Sequence, residues 1–209
     1  MIHKNPNRVK VGIPGFDELI EDGIEKNSIT LITGGTGTGK TSFCSQFLYY
    51  GAMNGDKGLY ISFEEDPRQI RVHMENFGLN FEKLEKQGKI RFQKIEVYSI
   101  AKAVEASILR SKGELLINIK GMPEMIPAGF KPDRIVIDSL PALSAVFKEE
   151  EYRYFLFKFF SFLKDTGATV FAVTETTQDP TAFKRTGIEE FLGDGVIVLY
   201  NIKHGDIRV

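Results

Sequence analysis

Ser28-Ile29-Thr30-Leu31-Ile32-Thr33-Gly34-Gly35-Thr36-Gly37-Thr38-Gly39-Lys40-Thr41 is the stretch on which the fold turns. Its first half, Ser28 to Thr33, is rich in β-branched residues and reads as a buried strand. Its second half, Gly34 to Thr41, is the pattern Gly, four residues, Gly-Lys-Thr. Thr41 to Met53, with Phe43, Phe47, Leu48 and Tyr50, then suits a helix. Strand, glycine-rich turn and helix in that order make a phosphate cradle. Glycines let consecutive backbone N–H groups aim inward at phosphate oxygens. The helix start adds unpaired N–H groups and the positive end of its dipole. Lys40 supplies a mobile charge for the β- and γ-phosphates, and Thr41 a hydroxyl for Mg²⁺. Gly35, Thr36, Gly37, Thr38, Gly39, Lys40, Thr41 and Ser42 are the expected nucleotide-binding residues. The motif predicts triphosphate binding without saying which reaction follows.

Around this stretch, strands alternate with helices. Further strands are expected at Gly58–Phe63, Ile90–Ile95, Arg134–Asp138, Ala168–Thr174 and Gly195–Tyr200, and the last residues can begin another. Helices are expected from Pro67 to about Asn76, from about Phe81, over Ile100–Leu109 and over Glu150–Asp165. Pro67 suits a first helical position, and Gly78 and Gly167 suit helix ends. Alternation of this kind predicts parallel βαβ units. Continuously apolar strands predict helices on both faces of the sheet.

A P-loop site needs a carboxylate at the end of a neighbouring strand to hold the metal's hydration shell. Asp138, which ends Ile135-Val136-Ile137, fits that place. Glu64-Glu65 follows the strand Leu59–Phe63, at the end where ligands bind in a parallel sheet. A carboxylate there can accept a proton from an attacking water, although two solvated acids in a loop have the same spacing.

Composition narrows the field. Lys plus Arg number 27 and Asp plus Glu 28 in 209 residues, which argues against a whole-chain attraction to nucleic acid or anionic membrane. Length favours one domain, 1–209. The single cysteine, Cys44, excludes an intrachain disulfide framework and fits a reducing cytoplasm. No apolar h-region opens the chain, and the greasiest stretch, Tyr154–Leu163, is broken by Lys158 and Ser161.

The chain resembles a KaiC-like ATPase of the RecA superfamily from about Val11 to Val209. The markers are Gly12-Ile13-Pro14-Gly15-Phe16-Asp17-Glu18-Leu19-Ile20 with Asp22-Gly23-Ile24, the P-loop with its strand, Gly58-Leu59-Tyr60-Ile61-Ser62-Phe63-Glu64-Glu65 and Phe77-Gly78. Val136-Ile137-Asp138-Ser139-Leu140 and Glu189-Glu190-Phe191-Leu192-Gly193-Asp194-Gly195-Val196-Ile197 complete them. The resemblance implies a RecA-like P-loop NTPase core, a mainly parallel central sheet with helices on both faces. It implies ATP and Mg²⁺ at subunit interfaces, often in hexameric rings. It makes Glu64 the base with Glu65 in support, Thr174-Glu175 a γ-phosphate sensor, and Asn76 a neighbour of the nucleotide base. It also implies a returning C-terminal strand with basic residues reaching a neighbour's ATP. Here the sequence reaches Asn201-Ile202-Lys203-His204-Gly205-Asp206-Ile207-Arg208-Val209 about where that strand should begin, so the finger is expected to be missing and hydrolysis slow.

Other features call for plainer readings. His3, His73 and His204 have no ligand spacing, and Cys44 reads as a small buried hydrophobe. Tyr152, Phe155, Leu156, Phe159, Phe160 and Leu163 form a core-facing stripe, with Tyr154 and Phe157 pointing away as a candidate contact. Gly113–Pro132 resembles a variable insertion, either loop packing or a partner surface. The leading expectation is a cytoplasmic, oligomeric ATPase that couples nucleotide state to regulation or assembly through a protein partner. The alternatives are a nucleotide-gated module with little hydrolysis, a RecA/RadA-like DNA-handling ATPase, and a small-molecule kinase.

Overall fold

The computed structural model describes residues 7–110, 124–176 and 188–201, with the backbone of 203, 204, 207 and 208. Most of the insertion expected at 113–132 lies outside these residues. Six parallel strands form the central sheet, in the order β5-β4-β6-β7-β3-β8. They are β3 (Ile29–Gly34), β4 (Gly58–Ser62), β5 (Ile90–Lys94), β6 (Arg134–Asp138), β7 (Thr169–Val173) and β8 (Gly195–Leu199). Each strand expected from the sequence is present, and the sheet is parallel throughout. Two short strands, β1 (Arg8–Val9) and β2 (Ile24–Glu25), pair antiparallel beside it. Another antiparallel pair, β9 (Lys203–His204) and β10 (Ile207–Arg208), follows β8 in the chain.

Two hydrophobic clusters cover the two faces of the sheet. Alternation assigns the strand residues: Leu59, Ile61, Ile135 and Ile137 go to one face, Tyr60 and Val136 to the other. Helix α2 (Lys40–Met53) packs Cys44, Phe47 and Leu48 on the second face, joined by α3 (Pro67–Glu75) and α4 (Phe81–Lys86). Helices α5 (Val97–Arg110) and α7 (Glu149–Asp165) pack on the first. The stripe Tyr152, Phe155, Leu156, Phe159, Phe160 and Leu163 is buried, while Phe157 is exposed.

Local chemistry fixes the helix ends. Asp66 caps α3 by accepting the Arg68 N–H at 2.8 Å, with Pro67 at the first position. Asn80 caps α4 through the Lys83 N–H at 3.0 Å. Three glutamates, Glu149 to Glu151, open α7 and favour its positive end. Two short helices, α1 (Phe16–Leu19) and α6 (Leu140–Ser144), are additions to the sequence reading, as is the 3₁₀ turn Glu189–Phe191.

Candidate functional site

The loop between β3 and α2 is built for close approach to its backbone. Gly39 sits at φ 86°, a left-handed conformation that glycine adopts without penalty. At Gly34 an added Cβ would lie 2.4 Å from the Leu199 carbonyl oxygen and 2.7 Å from Thr38 Oγ1, so β8 and the loop admit no side chain there. The first turn of α2 has no side-chain cap and no acid, which leaves its N–H groups free for an anion. Thr38 Oγ1 donates to the Gly35 carbonyl at 2.9 Å. The Lys40 ammonium donates to the Gly34 and Gly35 carbonyls at 2.8 and 2.9 Å, holding the charge within the loop. Asn201, just after β8, donates from Nδ2 to the Gly37 carbonyl at 3.3 Å.

Asp138 stands at the end of β6, two strands from the loop. Its Oδ2 accepts from Thr41 Oγ1 at 3.1 Å and from Tyr60 Oη at 2.5 Å. Burial raises the Asp138 pKa, the two hydroxyl donors oppose that rise, and Glu64 and Lys40 pull in opposite directions. The phenol of Tyr60 is pushed well above its usual range by burial and then by the Asp138 charge. Cys44 lies fully buried beneath, its thiol also pushed up by burial, as a small hydrophobe should be.

The paired glutamates diverge. Ser139, whose peptide bond with Asp138 is cis, donates from Oγ to Glu64 Oε1 at 2.6 Å. Glu65 turns the other way, 3.5 Å from His73 Nδ1, while its carbonyl accepts from Ser62 Oγ at 2.6 Å. Phe63 N–H donates to the Asp138 carbonyl at 2.7 Å and extends the β4–β6 ladder one residue past the end of β4. Glu64 is thereby set beside the Asp138–Ser139 turn.

The expected residues therefore gather at one end of the sheet: the loop after β3, Asp138 after β6, Glu64 after β4. Ser42 occupies the third position of α2 and is half-buried. Thr174 is buried at the end of β7, its N–H donating to the Ile32 carbonyl at 3.0 Å, and Glu175 is exposed. Asn76 closes α3, its N–H donating to the Met74 carbonyl. Sequence reasoning missed Tyr60, Ser139 as a Glu64 partner, and Asn201. A signal for Tyr60 existed: a phenol in an otherwise aliphatic buried strand needs a hydrogen-bond partner. No group of three or more His, Cys, Asp or Glu side chains that could hold a metal occurs among the described residues. No helix among them is long and apolar enough to cross a membrane.

A P-loop with a strand-end carboxylate asks for comparison with known proteins. The profile of the family described as "ATPase: KaiC" matches residues 9–209. A circadian clock protein, KaiC3 of Synechocystis, is 32% identical over 196 residues; the match takes in 93% of this chain and 38% of that protein. The chain thus spans little more than a third of that relative's length. A UPF0273 protein of Thermotoga maritima is 33% identical over 197 residues, 92% of this chain and 79% of that protein. Among solved structures, a KaiC-like protein of the archaeon Pyrococcus horikoshii superposes with a TM-score of 0.73 at 37% identity, over 96% of this chain and 84% of that one.

Proposed function

The chain belongs to the KaiC ATPase family, and on that premise we propose that it binds ATP and hydrolyses it with Mg²⁺. The observation that carries this reading is the hydrogen bond from Thr41 Oγ1 to Asp138, with Glu64 on the next strand end. Hard oxygen donors in that arrangement suit Mg²⁺, and the glycine cradle suits the phosphates. Thr41 and Asp138 would hold the ion, directly and through its hydration shell; when bound it supplies charge neutralisation on the phosphoryl oxygens. Thr41 can offer an oxygen lone pair because its hydrogen is committed to Asp138. Lys40 would exchange its loop carbonyls for phosphate oxygens, a stronger, charge-assisted contact. Backbone N–H groups of Gly35 to Thr41 orient the phosphates, with Ser42 at the edge of that set.

Glu64 accepts the proton of the attacking water, and Ser139 keeps its carboxylate aimed. Glu65, turned toward His73, supports the turn rather than the water. Thr174 and Glu175, at the end of β7, would sense the γ-phosphate. We take 1–209 as one KaiC/RecA-like domain that works in a cytoplasmic homo-oligomer, a hexamer by family resemblance, with ATP turnover coupled to a regulatory partner.

The test is Mg-ATP hydrolysis against protein concentration, beside a Glu64→Gln, Glu65→Gln variant and a Lys40→Ala variant. Turnover per subunit should rise with concentration and fall at least 100-fold in the double variant, in the range that a positioned base contributes. Lys40→Ala should lose Mg-ATP binding. Unchanged binding in that variant, or unchanged turnover in the double variant, would refute the reading.

A further inference from the structure

One group at this site carries none of the roles that the family resemblance implies. Tyr60 is fully buried at the middle of β4, yet its hydroxyl travels along the sheet face to Asp138. The register explains how. Tyr60 pairs with Val136, and Asp138 stands two residues further on the same face of β6. The ring is clamped by Phe92 on β5, stacked at 5.3 Å with planes 22° apart. The stacked ring aims the hydroxyl along the sheet face, where it donates to Asp138 Oδ2 at 2.5 Å.

We infer that Tyr60 is a positioning residue for the divalent-cation site, holding the Asp138 carboxylate by its Oδ2 so that Oδ1 faces the ion's hydration shell. The inference rests on the reading of the site as a Mg-nucleotide site. Two donors converge on Oδ2, Thr41 at 3.1 Å and Tyr60 at 2.5 Å. Thr41 alone cannot fix the carboxylate, because its own side chain would be drawn toward the ion it ligates. Tyr60 has no such second duty. A hydroxyl is also the suitable holder, since it steadies the negative charge without cancelling it, whereas a cation there would compete with the ion.

The test is Tyr60→Phe, which removes one oxygen and keeps the stacked ring. Binding of a fluorescent ATP analogue is titrated with Mg²⁺, and separately in EDTA. The Mg²⁺ half-saturation should rise about tenfold, the scale of one hydrogen bond to a charged group. Affinity in EDTA should stay within about twofold, since the cradle is untouched. Steady-state turnover should follow the same split: recovery toward the wild-type rate at high Mg²⁺, with the half-saturation displaced.

Phe92→Leu is the companion variant. It loosens the clamp but leaves the hydroxyl, so it should lower the thermal midpoint while moving the Mg²⁺ half-saturation less than Tyr60→Phe does. An unchanged Mg²⁺ half-saturation in Tyr60→Phe, whatever its thermal midpoint, would overturn the inference and leave Tyr60 a packing residue. Equal loss of affinity with and without Mg²⁺ would overturn it as well. Wild-type protein that binds nucleotide with no Mg²⁺ dependence would overturn the Mg-nucleotide reading itself, and is told apart because it appears before any variant is made.

Discussion

Replacing Arg134 by Met should destabilise the fold by about 3 kcal/mol without touching the nucleotide site. Arg134 opens β6 and is 4% exposed. Its guanidinium donates to the Lys10 carbonyl at 2.7 Å, the Phe47 carbonyl at 3.0 Å and Asp56 Oδ2 at 2.7 Å, and lies 4.7 Å from the centre of the Phe47 ring. It thus ties the N-terminal segment, α2 and the sheet together at one point. Each bond from a charged donor is worth about 1.5–3 kcal/mol, and both carbonyls would lose theirs. The Asp56 bond adds less, about 1 kcal/mol at most, because that side chain is 38% exposed and water can replace the partner. Methionine recovers about 1–2 kcal/mol through apolar burial. Burial lowers the Arg134 pKa, but the side chain stays charged throughout the working range, so the loss should not depend on pH between about 5 and 9. The assay is urea unfolding of Arg134→Met, Asp56→Asn and the double variant, with ATP affinity measured on each. Arg134 and Asp138 stand at opposite ends of a five-residue strand, roughly 13 Å apart, so affinity should hold. A loss under about 1 kcal/mol, or a coupling to Asp56 that accounts for the whole loss, would refute the reasoning.

Three more outcomes are expected. Asp138→Asn should stabilise the nucleotide-free protein at neutral pH: with its native pKa raised, folded protein binds the proton more readily than unfolded, so wild-type stability grows as pH falls from the raised native value toward the ordinary 3.8, and the variant loses that slope. Thermal melts from acid to neutral pH check the sign; adding Mg-ATP should reverse the ranking, since the wild type gains more binding stability than the variant. Ser139→Ala should lower turnover about tenfold while sparing nucleotide affinity, because Glu64 loses the 2.6 Å bond that aims it; single-turnover kinetics separate the two. Tyr152→Phe should cost about 1–3 kcal/mol in urea unfolding, since Tyr152 Oη donates to the buried Glu189 at 2.6 Å and the carboxylate would lose its donor.

The phosphate loop, Asp138 and the Glu64-Glu65 pair were legible because their chemistry is local. Each sits at the end of a short buried strand, and strand ends are visible in residue order alone. What was not legible depends on register and strand order. Tyr60 and Asp138 are 78 residues apart, and only the pairing of Ser62 with Asp138 brings them onto one face. Arg134 reads as the polar start of an apolar strand until β6 is placed beside α2 and the N-terminal segment. Asp17 is a motif letter in the sequence; in the fold its carboxylate accepts the Val11 and Gly12 N–H groups at 2.7 and 2.9 Å and closes the turn before α1. Helices α1 and α6 span four and five residues, too few for helical periodicity to register. Separation of Glu64 from Glu65 follows from Ser139 and His73, neither of which adjoins them in sequence.

The choice of donors around Asp138 bears on how such a site can work at all. A buried carboxylate must be steadied, and the commonest means is a cation. The Lys40 ammonium is near enough to lower the Asp138 pKa, yet its hydrogen bonds go to the Gly34 and Gly35 carbonyls. Two hydroxyls take the carboxylate instead. A salt bridge would give more stability in the absence of ligand, but a divalent ion would then have to displace the lysine before it could draw on the charge. Hydroxyl donors leave the full negative charge in place, and burial then magnifies its attraction for an incoming ion. The same burial makes Asp138 a liability to the empty fold, which is why its amide variant should be the more stable protein and the poorer ligand for Mg-ATP.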